Sequence, residues 1–168
     1  MKMTFMSPQI PSRCRMVKDC GVAALTGAQM PENRHCLTVR VYYEDTDFSG
    51  RVYHASYLRF FERGRTEWLR GCGFQHNLLV QSNGLAFAVT KLQVEFAAPA
   101  SIDDLLEVVT ELSGFRGPVL NFRQVVNREG APLVIGSIDV VAIKNNRAVR
   151  LPREILKLLM AAPHRVQS

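Results

Sequence analysis

Several features that would place a sequence quickly are scarce in this 168-residue chain. It holds 4 cysteines, Cys14, Cys20, Cys36 and Cys72, with no Cys-x-x-Cys pair among them. That argues against a disulfide framework and against a zinc site, and it fits a reducing cytoplasm. No run approaches the roughly 18 apolar residues of a membrane-spanning helix. His35-Cys36 has no companions at metal-ligand spacing, so no metal is expected. Gly71-Cys72-Gly73 follows a helical pattern, not a strand, which removes it as a dinucleotide fingerprint. No cofactor is expected. Of the 21 basic residues only 5 are lysine, so the excess of positive charge is carried by arginine.

The apolar content is 47%, enough for a packed core and too much for whole-chain disorder. The formal charge of +6 admits nucleic acid, anionic lipid or a phosphorylated substrate as partner. Neither a base-reading helix nor a stacking platform is evident, so nucleic acid is not expected. Half of that charge falls in residues 1–34, where Pro8, Pro11 and Pro31 interrupt a stretch without helical or strand periodicity. These residues read as a disordered N-terminal extension, residues 35–162 as the folded domain and residues 163–168 as a tail. Gly21 to Ala28 is too broken and too deep in the chain for a signal-peptide core.

From Leu37 the pattern sharpens. Leu37 to Tyr43 alternates and is rich in β-branched and aromatic residues, so it predicts a strand. An acidic, glycine-bearing loop follows from Glu44 to Val52. Ala55 to Arg70 predicts a helix, with Tyr57, Phe61, Gly64 and Trp68 recurring on one face, widened by Leu58, Phe60 and Leu69. Arg59, Glu62, Arg63 and Arg70 mark its wetter side. Glu62 and Glu67 are expected to pair with Arg65, Arg59 or Arg63. Beyond the helix the chain reads as strands: Gly84 to Ala98, apolar enough for a central position, then Leu105 to Leu112, Val119 to Arg128 and Leu133 to Lys144. In the third of these four, Leu120, Phe122, Gln124 and Val126 share a face. Lys144-Asn145-Asn146-Arg147 predicts a two-residue hairpin, and Pro152 opens a short helix through Met160. His76 and His164 read as surface residues.

The fold class is therefore α+β: a single domain with a five-stranded, mainly antiparallel sheet wrapped around one long helix, the order of a hot-dog fold. A sheet of this kind leaves a long open edge, which a second copy of the chain would cover. A dimer at minimum is expected.

Chemistry concentrates between Val41 and Arg70. Tyr43, Asp47 and His54 fall at steps of four and seven across the strand–loop–helix junction. A helix N-terminus offers unpaired amides and the positive end of a dipole, suited to a carbonyl that gains negative charge. A carboxylate just upstream can act as base or nucleophile toward it. The plainer reading, an acidic loop that merely caps a helix with His54 as an ordinary first-turn residue, fits the spacing as well. Lys91, Arg116, Arg123, Arg128, Arg147 and Arg150 are cations available to phosphates.

The block Asp47-x-x-Gly50-x-Val52-Tyr53-His54, with Tyr43 and Thr46 before it and Tyr57, Phe61, Glu62 and Arg65 after it, closely resembles acyl-CoA thioesterases of the 4-hydroxybenzoyl-CoA thioesterase type. Val94-Glu95-Phe96 and Pro99-Ala100 extend the match over residues 36–160. Within that family it looks most like the Tol–Pal-associated branch. The resemblance implies Asp47 as nucleophile or general base, the His54 amide as the donor that polarises the thioester carbonyl, and Tyr43 and His54 side chains beside them. It implies substrate-binding positions at Gly50, Val52, Tyr53 and Tyr57, to which Lys91 is added as a phosphate-binding cation. The implied partners are acyl-CoA, with acyl carrier protein as the other carrier, and further copies of the chain, as a homodimer assembling to a homotetramer. Phe48-Ser49-Gly50-Arg51 departs from the small residues common after the aspartate, which bears on the size of the acyl group. Two other functions fit the same fold: a dehydratase on acyl thioesters, for which the helix lacks the needed histidine and acid, and a non-catalytic module binding acyl carriers or envelope partners.

Overall fold

A computed structural model describes residues 34–160. Most of the expected N-terminal extension, the 163–168 tail, Cys14, Cys20 and His164 lie outside the described residues. The elements in chain order are β1 (Arg34–Arg40), a single 3-10 turn (Tyr43–Asp45), α1 (His54–Gly71), α2 (His76–Asn83), β2 (Ala86–Phe96), β3 (Leu105–Arg116), β4 (Val119–Arg128), β5 (Ala131–Lys144), β6 (Arg147–Val149) and α3 (Arg153–Met160).

The strands form one antiparallel sheet in the order β1-β3-β4-β5-β2, and the short β6 pairs with β5. Four consecutive strands after the helix would be expected to run as one meander; only β3, β4 and β5 do, because β2 pairs with β5 and β1 takes the place beside β3. Asn145 and Asn146 turn the final hairpin with φ of 50° and 58°, the left-handed conformation that asparagine tolerates.

Four expectations need correction. The first strand begins at Arg34, not Leu37, because Arg34 pairs with Glu111 of β3 through a 3.1 Å ion pair. It also stops at Arg40, because the Asp45 carboxylate takes the Tyr42 N–H at 3.1 Å and draws Tyr43 into the 3-10 turn. The stretch after α1 is not strand alone: α2 intervenes, ended by Gly84 at φ 62°, so the following strand starts at Ala86. That strand, β2, is an edge and not a centre, since among the described residues β5 is the one strand that pairs with it. Glu67 pairs with Arg70, while Glu62 accepts from the Thr66 hydroxyl at 2.7 Å and Arg65 turns inward to Gln124.

The helix α1 buries Tyr57, Phe60, Phe61, Gly64, Trp68 and Leu69, while Arg59, Glu62, Arg63 and Arg70 face water as the periodicity requires. Leu58, assigned to the apolar face, stands partly in solvent. Two glycines set how near the helix approaches the sheet. A Cβ at Gly64 would meet Thr110 Oγ1 at 2.7 Å and Val108 at 2.9 Å, and a Cβ at Gly136 would meet the Phe61 ring at 2.7 Å. Between them lies the buried Gln124, whose Nε2 donates to the Phe61 carbonyl at 2.9 Å and to Thr110 Oγ1 at 2.7 Å. Its Oε1 accepts from Arg65 at 2.7 Å. Every polar group that this amide brings into the core thus has a partner, which removes most of the cost of burying it. The fold is α+β, with one long helix held against a curved antiparallel sheet.

Candidate active site

Residues Thr46 to Val52 form a tight hairpin between the 3-10 turn and α1. Thr46 bridges Val52, the Asp47 N–H donates to the Arg51 carbonyl at 2.9 Å, and the Gly50 N–H donates to the Asp47 carbonyl at 3.0 Å. Gly50 sits at φ 73° with nothing near its missing side chain, so backbone conformation and not space calls for glycine. The base of the hairpin is bolted down. The Val52 N–H donates to the Ala100 carbonyl, and the Tyr53 N–H and Ser56 hydroxyl both donate to the Asp45 carbonyl at 2.9 and 3.0 Å. Arg51 bridges Ser101 and donates to its hydroxyl at 2.7 Å.

Asp47 is exposed near the hairpin tip. Its Oδ1 accepts the Ser49 N–H at 2.8 Å and the Ser49 hydroxyl at 2.5 Å. The Ser49 hydroxyl, then its amide, hold the Asp47 carboxyl below its ordinary pKa against an opposing desolvation, and the Arg51 backbone and the His54 ring add lesser effects in the same direction as Ser49. The group is therefore ionised throughout the neutral range. An open depression of 580 Å³ surrounds it, lined by Tyr43, Thr46, Asp47, Phe48, Gly50 and Ile102.

His54 opens α1 and is exposed, its ring 4.3 Å from that of Tyr53. The helix carries no side-chain cap at Tyr53. Because the Ser56 N–H already turns back to the Tyr53 carbonyl at 2.8 Å, the His54 and Ala55 amides are the ones left without intrahelical acceptors.

Of the residues singled out in the sequence, Tyr43, Asp47 and Gly50 share the depression, and His54 stands close enough to act on the Asp47 charge. Val52 and Tyr57 are buried, and the Tyr57 hydroxyl accepts the Ala100 N–H at 3.0 Å. Lys91 lies exposed on β2, opposite Asp139, outside that lining. Arg128 is engaged with Asp104 at 2.7 Å, whereas Arg116, Arg123, Arg147 and Arg150 are exposed. A second, narrower cavity of 150 Å³ opens farther along α1, with Glu62, Arg65 and Thr66 at α1 and Phe87, Leu120 and Phe122 of the sheet among its walls.

Three contributors escaped the sequence reading. Ser49 was legible in principle, since Asp-x-Ser is an Asx-turn pattern. Asp45, 1% exposed and 3.8 Å from Arg59, carries no signal separating it from its acidic neighbours Glu44 and Asp47. The Asp104–Arg128 pair, with Ser101 donating its N–H to the same carboxylate at 2.8 Å, joins residues 24 apart and is set by strand register.

A carboxylate held ionised at a hairpin tip, before an uncapped helix N-terminus and on a sheet wrapped around that helix, defines a hot-dog protein with a polar site at its helix start. Residues 41–159 match the family model of the Thioesterase-like superfamily. The acyl-CoA thioesterase YbgC of Haemophilus influenzae is 41% identical over 128 residues, covering 75% of this chain and 94% of the relative. A crystal structure of a probable thioesterase from Bartonella henselae superposes with a TM-score of 0.69 at 40% identity, covering 71% of this chain and 99% of the other. A 4-hydroxybenzoyl-CoA thioesterase variant crystallised with 4-hydroxybenzoyl-CoA shares the fold, with a TM-score of 0.72 at 20% identity over 76% of this chain and 99% of its own. This chain belongs to the Thioesterase-like superfamily.

Proposed function

We propose that this protein hydrolyses acyl-CoA thioesters to the free acid and coenzyme A, with Asp47 as the reacting carboxylate. The observation that carries the reading is the ionised Asp47 on a hairpin that leads directly into the free first-turn amides of α1. The name of the Haemophilus relative supports the substrate class.

The thioester carbonyl oxygen accepts the His54 N–H, where the helix dipole favours the charge that develops on it. Asp47 then acts in one of two balanced ways. As a base it takes a proton from water; the hydroxide adds to the carbonyl carbon, and collapse of the adduct breaks the C–S bond. As a nucleophile it adds directly and expels the thiolate, leaving an anhydride that water cleaves. In both, coenzyme A leaves as a thiolate and takes up a proton, for which the His54 ring is the proposed carrier. Tyr43 and Gly50 lie along the wall of the same depression, while Val52, Tyr53 and Tyr57 hold the loop and helix start beside it through their bonds to Ala100 and Asp45. Lys91 and the exposed arginines offer charge to the coenzyme phosphates, or to the phosphopantetheine of an acyl carrier protein.

The outer edge of β2, which pairs with no strand among the described residues, supports a homodimer, assembling further to a homotetramer. The Asp47–His54 block supports membership of the Tol–Pal-associated branch, acting in the cytoplasm; among the described residues no helix is long and apolar enough to cross a membrane.

Release of free thiol from acyl-CoA of graded chain length tests the reaction. Asp47→Asn is expected to lower kcat by about 10² to 10⁴. A wild type that frees no thiol from any acyl-CoA would identify a non-catalytic binding module instead. In single turnover in ¹⁸O-water, label found in the Asp47 carboxylate identifies the anhydride route, since direct attack of water on the thioester puts the label in the product acid.

A further inference from the structure

Asp47 and Ser49 are both exposed, yet two hydrogen bonds join them, at 2.8 Å from the amide and 2.5 Å from the hydroxyl, and both end on the same carboxylate oxygen. Neither bond is required to make the turn. The hairpin is already closed by the Asp47 N–H to the Arg51 carbonyl, the Gly50 N–H to the Asp47 carbonyl and the Thr46–Val52 bridge. Nor do the bonds rescue a buried group, since water reaches both residues, and an exposed hydrogen bond adds little to stability.

What they do is geometric. A free aspartate samples three χ1 wells and presents either oxygen. Here Oδ1 has its lone pairs occupied by Ser49, and the carboxylate plane is fixed against the turn. We propose that Ser49 is the positioning residue of Asp47, engaging Oδ1 so that Oδ2 alone is presented to the thioester or to the attacking water. This rests on the reading of Asp47 as the reacting carboxylate.

The arrangement has a cost in basicity, because donors to a carboxylate stabilise its charged form. The site thereby exchanges some proton affinity for a single orientation and for full ionisation in the neutral range. The ionisable groups around Asp47 are His54 at the start of α1, Tyr43 in the preceding turn and Arg51 on the returning arm. Arg51 is turned toward Ser101, and Asp104 beyond it is neutralised by Arg128. Of these, only His54 acts on the Asp47 charge through its side chain, alongside the Ser49 hydroxyl.

Ser49→Ala keeps the amide bond and removes the hydroxyl. The expected result is a fall in kcat of about tenfold with KM within about twofold, since orientation and not binding is lost. The acid limb of the rate profile moves to higher pH, as the Asp47 carboxyl loses its strongest stabilising donor. Ser49→Thr, which restores a hydroxyl, returns both kcat and the acid limb toward wild type. Asp47→Asn is measured alongside. If Asp47→Asn retains the wild-type rate, the reading of Asp47 fails and Ser49 has nothing to position. If Asp47→Asn is inactive while Ser49→Ala keeps both kcat and its acid limb, the Ser49 proposal alone is overturned. A loss of rate in Ser49→Ala with an unmoved acid limb and no recovery in Ser49→Thr reports a general disturbance of the hairpin and equally overturns it.

Discussion

The Tyr57 hydroxyl accepts the Ala100 N–H at 3.0 Å, so a side chain of α1 holds the backbone strand against which the Asp47 hairpin is laid. Ala100 also gives its carbonyl to the Val52 N–H at 2.9 Å. One fully buried residue therefore ties the helix and the base of the hairpin into a single frame. Burial pushes the Tyr57 hydroxyl above its ordinary pKa, so it stays protonated across the working range.

Tyr57→Phe leaves the buried Ala100 amide without the acceptor it has in the native fold. The expected loss of stability is about 1–3 kcal/mol, read as a lower urea midpoint with an unchanged slope. Because the hairpin base loosens with it, kcat falls as well. A variant with the wild-type midpoint would mean that the amide finds another acceptor and that the tie is dispensable.

Stability is expected to depend on the Asp104 carboxylate at acid pH. Burial works against its charge, but the Ser101 N–H and the Arg128 guanidinium outweigh it and hold the carboxyl below its ordinary value of 3.8. A depressed carboxyl contributes stability that is present above the unfolded value and disappears as pH falls through the folded one. Asp104→Asn should therefore be less stable than wild type at about pH 7, with the gap closing below about pH 3. Urea titrations at the two pH values test this; a gap of equal size at both would assign the effect to shape and not to charge.

β2, an edge strand among the described residues, exposes Val89, Leu92 and Phe96. Placing a charge there is a common way to stop strand edges from pairing. Leu92→Lys is expected to raise the dimer dissociation constant at least about tenfold, read by sedimentation, and to reduce thiol release in proportion to the monomer formed. A wild type that sediments as a monomer at assay concentration contradicts the edge pairing.

Local patterns in the sequence carried much of this architecture. The face of β4 with Leu120, Phe122, Gln124 and Val126 was legible because alternation reports burial, even for a glutamine. The α1 face was legible from its 3.6-residue period, and the Asn145-Asn146 turn from the tolerance of asparagine for positive φ. Strand order was not. Whether Ala86–Phe96 lies inside the sheet or along its rim depends on which distant strand it meets, and an apolar strand suits either position. The helix at His76–Asn83 was missed because two turns are too short for a period to emerge, although Gly84 as a left-handed stop was the available sign. At the site, residue types were visible and distances were not. Asp47 and His54 could be paired from spacing, but the two bonds from Ser49 and the burial of Asp45 depend on how the hairpin folds back on itself.

The hairpin from Thr46 to Val52 is fastened at its base by backbone bonds to Ala100 and Asp45 and by the bridge to Ser101, while Phe48 at its tip stands wholly in solvent. Backbone anchors are indifferent to side-chain identity. Substitutions at Phe48 therefore escape selection for folding and are weighed almost solely by their effect on what the site accepts. Under the proposed function such a segment is an exchangeable cassette: a lineage could change its acyl preference there while its thermal tolerance stays constant, and a library confined to the tip would sample specificity without losing members to misfolding.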